Sequence, residues 1–239
     1  MDELIDIHIE QYRAWRREYE ELKGIPTSKR LKPARAVSYF IDFLREKAFP
    51  FKGWVLDVGC GKGRNAFPFL KLGFSVYGLD IVEKALSDFR AEAERRGFSE
   101  RVFLYRKSIA EPLPFPASSF DLALDITVLD NLLIDDLAHG YAAELARTMR
   151  KGGYFLIYFF LREDPYYASL LATSPEGAKG ILIDPKNGIR TRIRTPEEIA
   201  SLFAPFFVIE DERRFRFSCS MYGRVYPRRF ASFIMRRKG

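Results

Sequence analysis

The chain has 239 residues, 47% of them hydrophobic, and a formal net charge of +7, values that suit a globular protein with one sizeable core. Its two cysteines, Cys60 and Cys219, are too few and too far apart for a disulfide scaffold or a structural zinc site, so we expect no metal and a reducing, cytoplasmic setting. The acidic N-terminus lacks the features of a signal peptide, and no apolar run approaches the ~20 residues that cross a bilayer.

Helical and strand patterns alternate along the chain. Helical spacing of apolar residues predicts a helix over Leu4–Lys23 and a second helix from about Pro33. Five buried-strand patterns follow, over Trp54–Val58, Phe74–Asp80, Val102–Tyr105, Phe120–Ile126 and Tyr154–Phe160. The helical segments between most of them are Arg64–Leu72, Glu83–Arg96 and Ile134–Arg150. This alternation predicts a parallel sheet that is covered by helices on both faces.

The last third of the chain has a different pattern. A hairpin is predicted over Ile181–Arg194 around an Asn-Gly pair, and a capping box at Thr195 starts a helix. Two final strands, Phe206–Arg216 and Arg229–Arg236, are expected to be antiparallel to each other. We therefore predict one α/β domain over residues 1–239, with a Rossmann-like, doubly wound sheet of seven mostly parallel strands, a C-terminal antiparallel strand and an N-terminal helical extension over residues 1–50.

A glycine-rich segment joins the first strand to the next helix. It reads D-x-G-x-G-x-G, from Asp57 through Gly59 and Gly61 to Gly63. Glycines allow a sharp turn and a close approach of the backbone to a ligand, and the following helix offers free N–H groups. This geometry suits a nucleotide-like cofactor.

Two cofactor classes compete for this turn. A dinucleotide fingerprint, G-x-G-x-x-G, requires a third glycine where this chain has Arg64, whose long side chain would obstruct close helix–strand packing. Asp57, just before the turn, would repel a pyrophosphate but suits a ligand with an ammonium group. S-adenosylmethionine has an amino group and no phosphate, so it is the expected cofactor. Asp80, at the end of the second strand, is placed to accept hydrogen bonds from both ribose hydroxyls.

These motifs resemble those of class I S-adenosylmethionine-dependent methyltransferases. The resemblance rests on residues 55–63 (VLDVGCGKG), 78–81 (GLDI), 111–122 (EPLPFPASSFDL) and 150–157 (RKGGYFLI), and it covers roughly Gly53 to Phe160. Residues 63–65 (GRN) also resemble the tellurite-resistance and thiopurine-type branch of small-molecule methyltransferases.

The resemblance implies a set of cofactor contacts. These are Asp57, Gly59, Gly61, Gly63, Asp80, Ile81, Ile109, Ala110, Asp125 and Ile126. The glycines and Asp125 would lie near the methionine part of the cofactor, and Ile81, Ile109 and Ala110 would flank the adenine. Many relatives have an acidic residue where Ile109 stands, so that contact must come from backbone, Ser108 or Glu111, or be absent.

No catalytic base is evident. The two histidines, His8 and His139, lie on predicted helices away from the motifs, and Asp130 and Asn131 follow the fourth strand, where a loop contact or helix cap is the ordinary role. Methyl transfer mainly requires positioning of the acceptor, and a base only if the acceptor keeps its proton.

The acceptor is expected to bind beyond the common core. The candidate segments are the N-terminal helix, acting as a lid, and residues 161–194, which include Asp164, Tyr166 and Tyr167 and a row of three arginines, Arg190, Arg192 and Arg194, that could favour an anion. A small-molecule acceptor is the main hypothesis.

The alternative is RNA or protein methylation by a basic C-terminal surface. Its cationic residues are Arg213, Arg214, Arg216, Arg224, Arg228, Arg229, Arg236, Arg237 and Lys238. Such a patch can attract nucleic acid, although a solvated surface has the same composition. No Asn-Pro-Pro-Tyr-like tetrad follows the fourth strand, which argues against methylation of a base amino group.

Overall fold

The computed structural model describes the backbone of residues 2–239 and side chains from residue 9 onward. The helices are α1 (Asp2–Arg17), α2 (Pro26–Lys29), α3 (Arg35–Glu46), α4 (Phe67–Leu72), α5 (Glu83–Arg95), α6 (Asp135–Thr148), α7 (Pro165–Thr173) and α8 (Pro196–Phe203). A π-helical turn, Glu18–Leu22, extends α1, and the side chain of His8 lies outside the described residues.

One sheet of seven strands forms the centre of the molecule. Its strands are β1 (Trp54–Val58), β2 (Ser75–Asp80), β3 (Val102–Arg106), β4 (Phe120–Ile126), β5 (Met149–Phe160), β8 (Phe207–Met221) and β9 (Arg224–Arg237). The order across the sheet is β3-β2-β1-β4-β5-β9-β8, with the first five parallel and β9 antiparallel to both neighbours. The predicted Rossmann-like fold with a mostly parallel sheet is therefore confirmed. A separate pair, β6 (Ile181–Ile183) and β7 (Arg190–Arg192), forms the predicted hairpin.

Helices cover both faces of the sheet and create two apolar layers. On one face α6 and α8 contribute Tyr141 and Phe203 to a cluster with Phe155 of β5. On the other face α3 and α5 contribute Phe40 and Phe89. Strands with both faces buried need continuous apolar runs, which is why β1 and β4 have the sequence pattern that identified them.

The C-terminal strands are longer than predicted. They form one hairpin, closed by Tyr222-Gly223, two residues with φ of 50° and 76°. Positive φ at both central positions gives the turn that matches strand twist. The hairpin continues past Phe160, the last β5 residue paired with β9, so Pro227 lies where β9 has no partner on that side and loses no ladder hydrogen bond.

Two helix boundaries also differ from the prediction. Helix α4 begins at Phe67 rather than at Arg64, because Pro68 belongs in a first turn and residues 63–66 are used for the glycine turn. Helix α7 was not predicted, although Asp164 caps it through the Tyr166 and Tyr167 N–H groups and Pro165 follows as first helical residue. In the described part of the chain, no helix is both long and apolar enough to cross a membrane.

Candidate cofactor site and the adjoining pocket

The glycine turn is held in place by the end of the second strand. Gly59, Gly61 and Gly63 all have positive φ, between 54° and 77°, which side chains disfavour. One Asp80 carboxylate oxygen accepts the Gly61 N–H at 2.9 Å, and the other accepts the Val82 N–H at 2.9 Å. Asp80 therefore braces the turn as well as facing the ligand side. Burial raises the pKa of Asp80 to about 6, against the opposing effect of these N–H donors.

A cavity of about 310 Å³ opens at the carboxyl ends of β1, β2, β3 and β4. Six of the ten predicted cofactor residues line it, namely Gly59, Asp80, Ile81, Ile109, Ala110 and Ile126. Ser108 and Glu111, the two alternative adenine contacts, line it as well. Ligands in open α/β sheets bind at this edge. The geometry thus brings the predicted adenine and ribose contacts together around one space.

The N-terminal helix closes one side of this cavity. Three of its residues, Gln11, Tyr12 and Trp15, line the space, and so does Tyr19 of the π-helical turn. Tyr19 is 2% exposed and packs with Val82 and Ala85 at the start of α5. A Cβ on Gly61 would lie 2.5 Å from the Tyr19 hydroxyl, so this glycine admits the helix rather than lining the cavity.

Two other predicted contacts have roles inside the fold. A Cβ on Gly63 would lie 2.2 Å from the Phe89 ring, so this glycine allows α5 to pack against the turn. Asp125 is fully buried and accepts the Val128 and Leu129 N–H groups and the Tyr141 hydroxyl. Gly63 and Asp125 therefore do not line the cavity, because packing and the loop after β4 already use them.

Asp57 is buried behind the glycine turn with an unused hydrogen-bonding capacity. It is 1% exposed, and neither carboxylate oxygen has a hydrogen-bond partner among the described residues. Burial raises its pKa to about 8, with Arg64 opposing the shift and Asp80 and Asp125 adding to it. An ammonium group approaching the turn would complete this site, whereas a pyrophosphate would meet a further negative charge.

One polar cluster joins α1 to the rest of the molecule, and the sequence analysis did not find it. The Asn131 amide oxygen accepts both Gln11 Nε2 at 2.8 Å and Trp15 Nε1 at 2.7 Å. Gln11 also donates to the Arg190 carbonyl and accepts the Arg190 N–H. The sequence signal for this cluster is Gln11, a single amide on an otherwise apolar helix face, because a buried amide needs hydrogen-bond partners.

A second, smaller pocket of about 40 Å³ adjoins the cavity, sharing Trp15, Thr27, Thr127 and Asn131 with it. Its other lining residues are Ile25, Asp130, Phe160, Tyr167, Asp184, Asn187, Ile189 and Thr191. Thr127 has a φ of 63°, a conformation that costs a non-glycine residue about 1–3 kcal/mol and is concentrated at functional sites. The N-terminal segment, the loop after β4, the end of β5 and residues 161–194 all contribute to this pocket.

The three arginines of the hairpin are engaged by the protein itself. Arg190 pairs with Glu10, and Arg192 donates to the Leu133 carbonyl and pairs with Asp135. Arg194, 3% exposed, donates to the carbonyls of the loop after β4. These three cations therefore hold the hairpin to its neighbours, and attraction of an anion by this row stays a prediction.

The remaining candidates lie outside both pockets. Asp164 forms a buried ion pair with Arg228 at 2.9 Å and caps α7. His139 is exposed on α6 and contacts a carbonyl of its own helix. Tyr166 donates to Asp184 behind the smaller pocket.

The chain is similar to known methyltransferases. Residues 56–157 match the protein family described as "Methyltransferase domain". The chain is 31% identical over 156 residues to a ubiquinone biosynthesis O-methyltransferase of Dinoroseobacter shibae, which covers 64% of this chain and 59% of that protein. The chain thus spans about three fifths of the length of this curated relative.

Solved structures share the fold over most of the chain. A Burkholderia thailandensis 1,6-didemethyltoxoflavin-N1-methyltransferase with bound S-adenosylhomocysteine has a TM-score of 0.71 at 22% identity, covering 98% of this chain and 90% of that one. An S-adenosylmethionine-dependent methyltransferase of Methanosarcina mazei has a TM-score of 0.69 at 20% identity, covering 82% and 96%. Residues 56–157 therefore match a methyltransferase domain, and the sheet order and these structures show that the chain has the Rossmann-like fold of class I S-adenosylmethionine-dependent methyltransferases.

Proposed function

We propose that this protein transfers the methyl group of S-adenosylmethionine to a small-molecule acceptor. The observation that carries the proposal is a cavity lined by apolar side chains and the Asp80 carboxylate, together with the unpartnered Asp57 carboxyl group at the end of β1, just before the glycine turn. These acceptors match a ligand with one ammonium, two ribose hydroxyls and no phosphate.

In this proposal the residues of the cavity hold and orient the cofactor. Ile81, Ile109 and Ala110 enclose the adenine, Asp80 accepts the ribose hydroxyls with its remaining lone pairs, and Asp57 balances the ammonium. The bound cofactor supplies an electrophilic methyl group on a sulfonium, so the protein has to align an acceptor with it and exclude water.

The N-terminal helix is proposed to act as a lid. Its inner face forms a wall of the cavity, and Gln11 and Trp15 fasten it to Asn131. Water cannot leave and substrates cannot enter an enclosed site unless such an element moves, which is the common role of mobile covers in enzymes.

A small acceptor fits this enclosure better than RNA or a protein. The pocket next to the cofactor cavity is narrow and lies under the lid. The relatives point the same way, because one is named for ubiquinone biosynthesis and another for methylation of a small heterocycle. Several arginines of the basic tail are also engaged within the chain, including Arg228 with Asp164 and Arg236 with Glu210.

Calorimetry and labelled methyl transfer test the proposal together. We expect S-adenosylmethionine and S-adenosylhomocysteine to bind and NAD to give no heat. With labelled cofactor and fractions of a cell extract, label should appear in the low-molecular-mass fraction. NAD binding without a response to S-adenosylmethionine would overturn the cofactor, and label confined to RNA or protein would overturn the acceptor class.

A further inference from the structure

The small pocket contains a second buried carboxylate that the cofactor does not explain. Asp130 is 3% exposed, lines the pocket, and has no hydrogen-bond partner of good geometry for either oxygen among the described residues. A buried, unpartnered carboxylate costs several kcal/mol unless a ligand satisfies it. It lines the small pocket and not the cofactor cavity, so a ligand in the small pocket can reach it.

The charge of the pocket selects against anions. It is lined by two aspartates, Asp130 and Asp184, and by no lysine or arginine in the part of the chain described. Asp184 is already occupied, since it accepts the hydroxyls of Tyr166 and Tyr222. Asp130 is therefore the carboxylate available to a ligand, and a carboxylate or phosphate group entering here would be repelled.

The available hydrogen-bonding capacity favours an ammonium group over a hydroxyl. Both oxygens of the Asp130 carboxylate lack a hydrogen-bond donor. A hydroxyl group can donate one hydrogen bond, whereas a protonated amine can donate two or three. The Trp15 indole in the wall also suits a cation, whereas the Phe160 and Tyr167 rings already face Arg228 at 5.2 and 5.0 Å. At about 40 Å³ the space holds about three water-sized groups, by the ~10–15 Å³ that one water requires. That is enough for an amino group and the carbon bearing it.

We propose, building on the methyltransferase function above, that this pocket takes the amino group of an amine acceptor and that Asp130 binds it and removes its proton for N-methylation. The pocket shares four wall residues with the cofactor cavity, so the two ligands meet at Thr127 and Asn131.

The transfer balances as follows. The ammonium gives one proton to the Asp130 carboxylate, which frees the nitrogen lone pair. That pair forms the bond to the methyl carbon while the carbon–sulfur bond breaks and its electrons stay on sulfur. The products are an N-methylammonium and S-adenosylhomocysteine, and Asp130 returns its proton to water when the product leaves. Burial and Asp125 raise the pKa of Asp130, against Arg194 and the Phe160 N–H, which makes it a stronger base than an exposed aspartate.

The first test compares ligands of one size with the intact protein. With S-adenosylhomocysteine saturating, propylamine, 1-propanol and propionate are titrated while NMR signals of the Trp15 indole and Thr127 are followed. We expect specific shifts with propylamine only. Equal shifts with all three probes, or none with propylamine while S-adenosylhomocysteine binds, would overturn the proposal and leave the cofactor function standing.

The second test uses Asp130→Asn, with Asp136→Asn on the exposed side of α6 as the matched control. A defined library with equal numbers of amines, alcohols and carboxylic acids is screened with labelled cofactor, and products are identified by mass spectrometry. We expect N-methylated products, a fall of at least ~100-fold in rate for Asp130→Asn, and S-adenosylmethionine affinity within twofold of the wild type. Asp136→Asn should behave as the wild type.

Methylation at oxygen or carbon would overturn the proposal, and so would an Asp130→Asn rate within threefold of the wild type. Asp130→Asn is isosteric and replaces a buried carboxyl group that has no hydrogen-bond partner, so we expect its melting temperature to stay equal or rise. Loss of folding in that variant would contradict the assignment of Asp130 as a group without structural partners.

Discussion

The indole N–H of Trp15 donates to the side-chain oxygen of Asn131 at 2.7 Å, across 116 positions of sequence. The same oxygen accepts Gln11, and the Asn131 amide nitrogen donates to the Thr127 and Val128 carbonyls. One asparagine thereby connects the N-terminal helix with the loop that separates the cofactor cavity from the smaller pocket.

Replacing this asparagine should loosen the lid. In Asn131→Leu the Gln11 and Trp15 donors lose their acceptor, at ~1–3 kcal/mol for each buried group. We expect S-adenosylmethionine to bind ~10-fold or more weakly, measured by calorimetry. Trp15→Phe should have a smaller effect and add little in the double variant, because both substitutions break the same bond. Unchanged affinity in a folded Asn131→Leu protein would show that the lid does not depend on this contact.

Alanine substitutions at Gly61 and Gly63 should affect different properties, the first cofactor binding and the second thermal stability. Gly61→Ala meets the Tyr19 hydroxyl of the lid, so we expect weaker cofactor binding with a modest change in melting temperature. Gly63→Ala meets the buried Phe89 ring, and overpacking of this kind costs ~1–3 kcal/mol. The melting temperature falls by about 2–4 °C for each kcal/mol of lost stability, so Gly63→Ala should melt at a clearly lower temperature than the wild type. Both substitutions carry a similar positive-φ cost, so equal behaviour of the pair would contradict these separate roles.

Asp80→Ala should weaken cofactor binding without unfolding the chain. The substitution removes the acceptor of the Gly61 and Val82 N–H groups and the proposed acceptor of the ribose hydroxyls. Charge-assisted hydrogen bonds of this type contribute about 1.5–3 kcal/mol each, so we expect a loss of at least ~10-fold in affinity. Asp136→Ala, on the exposed side of α6, is the control. An unaltered dissociation constant for Asp80→Ala would remove this residue from the site.

The stability of the cofactor-free protein should fall as pH rises from 6 to 8. The pKa of Asp57 is raised from 3.8 to about 8, mainly by burial, so in this range the folded state keeps a proton that the unfolded state has lost. The unfolded state binds fewer protons, and the free energy of unfolding therefore decreases with pH, by up to ~1.4 kcal/mol per unit for one proton.

Asp57→Asn isolates this contribution. Asp80 and Asp125, with pKa values of about 6, act with the same sign mostly below pH 6. Urea unfolding at pH 6 and pH 8 should therefore give a smaller difference for Asp57→Asn than for the wild type. An identical pH dependence in the two proteins would mean that Asp57 is ionised in the folded state throughout this range.

The sequence by itself determined the features that depend on neighbouring residues. Strand and helix periodicity, the glycine turn and the aspartate at the end of the second strand are local patterns. Buried parallel strands and helix caps impose such patterns on short stretches of chain. These features were enough to predict the sheet and six of the residues that line the cavity.

Only the tertiary structure decided which polar groups meet across long separations. Gln11 contacts Arg190 at a separation of 179 positions, and Asn131 receives its donors from a helix more than 100 positions away. No local pattern distinguishes Gly61, whose missing side chain leaves room for the Tyr19 hydroxyl, from Gly63, whose missing side chain leaves room for the Phe89 ring of α5. Likewise, Asp125 lies near the end of β4 and Asp130 in the turn after it, yet the first accepts N–H groups and the second is left without partners. The difference arises because the burial and the hydrogen-bond partners of a polar group are set by tertiary packing. Packing brings together segments that are distant in sequence, and the local sequence of one segment does not indicate which other segment it will contact.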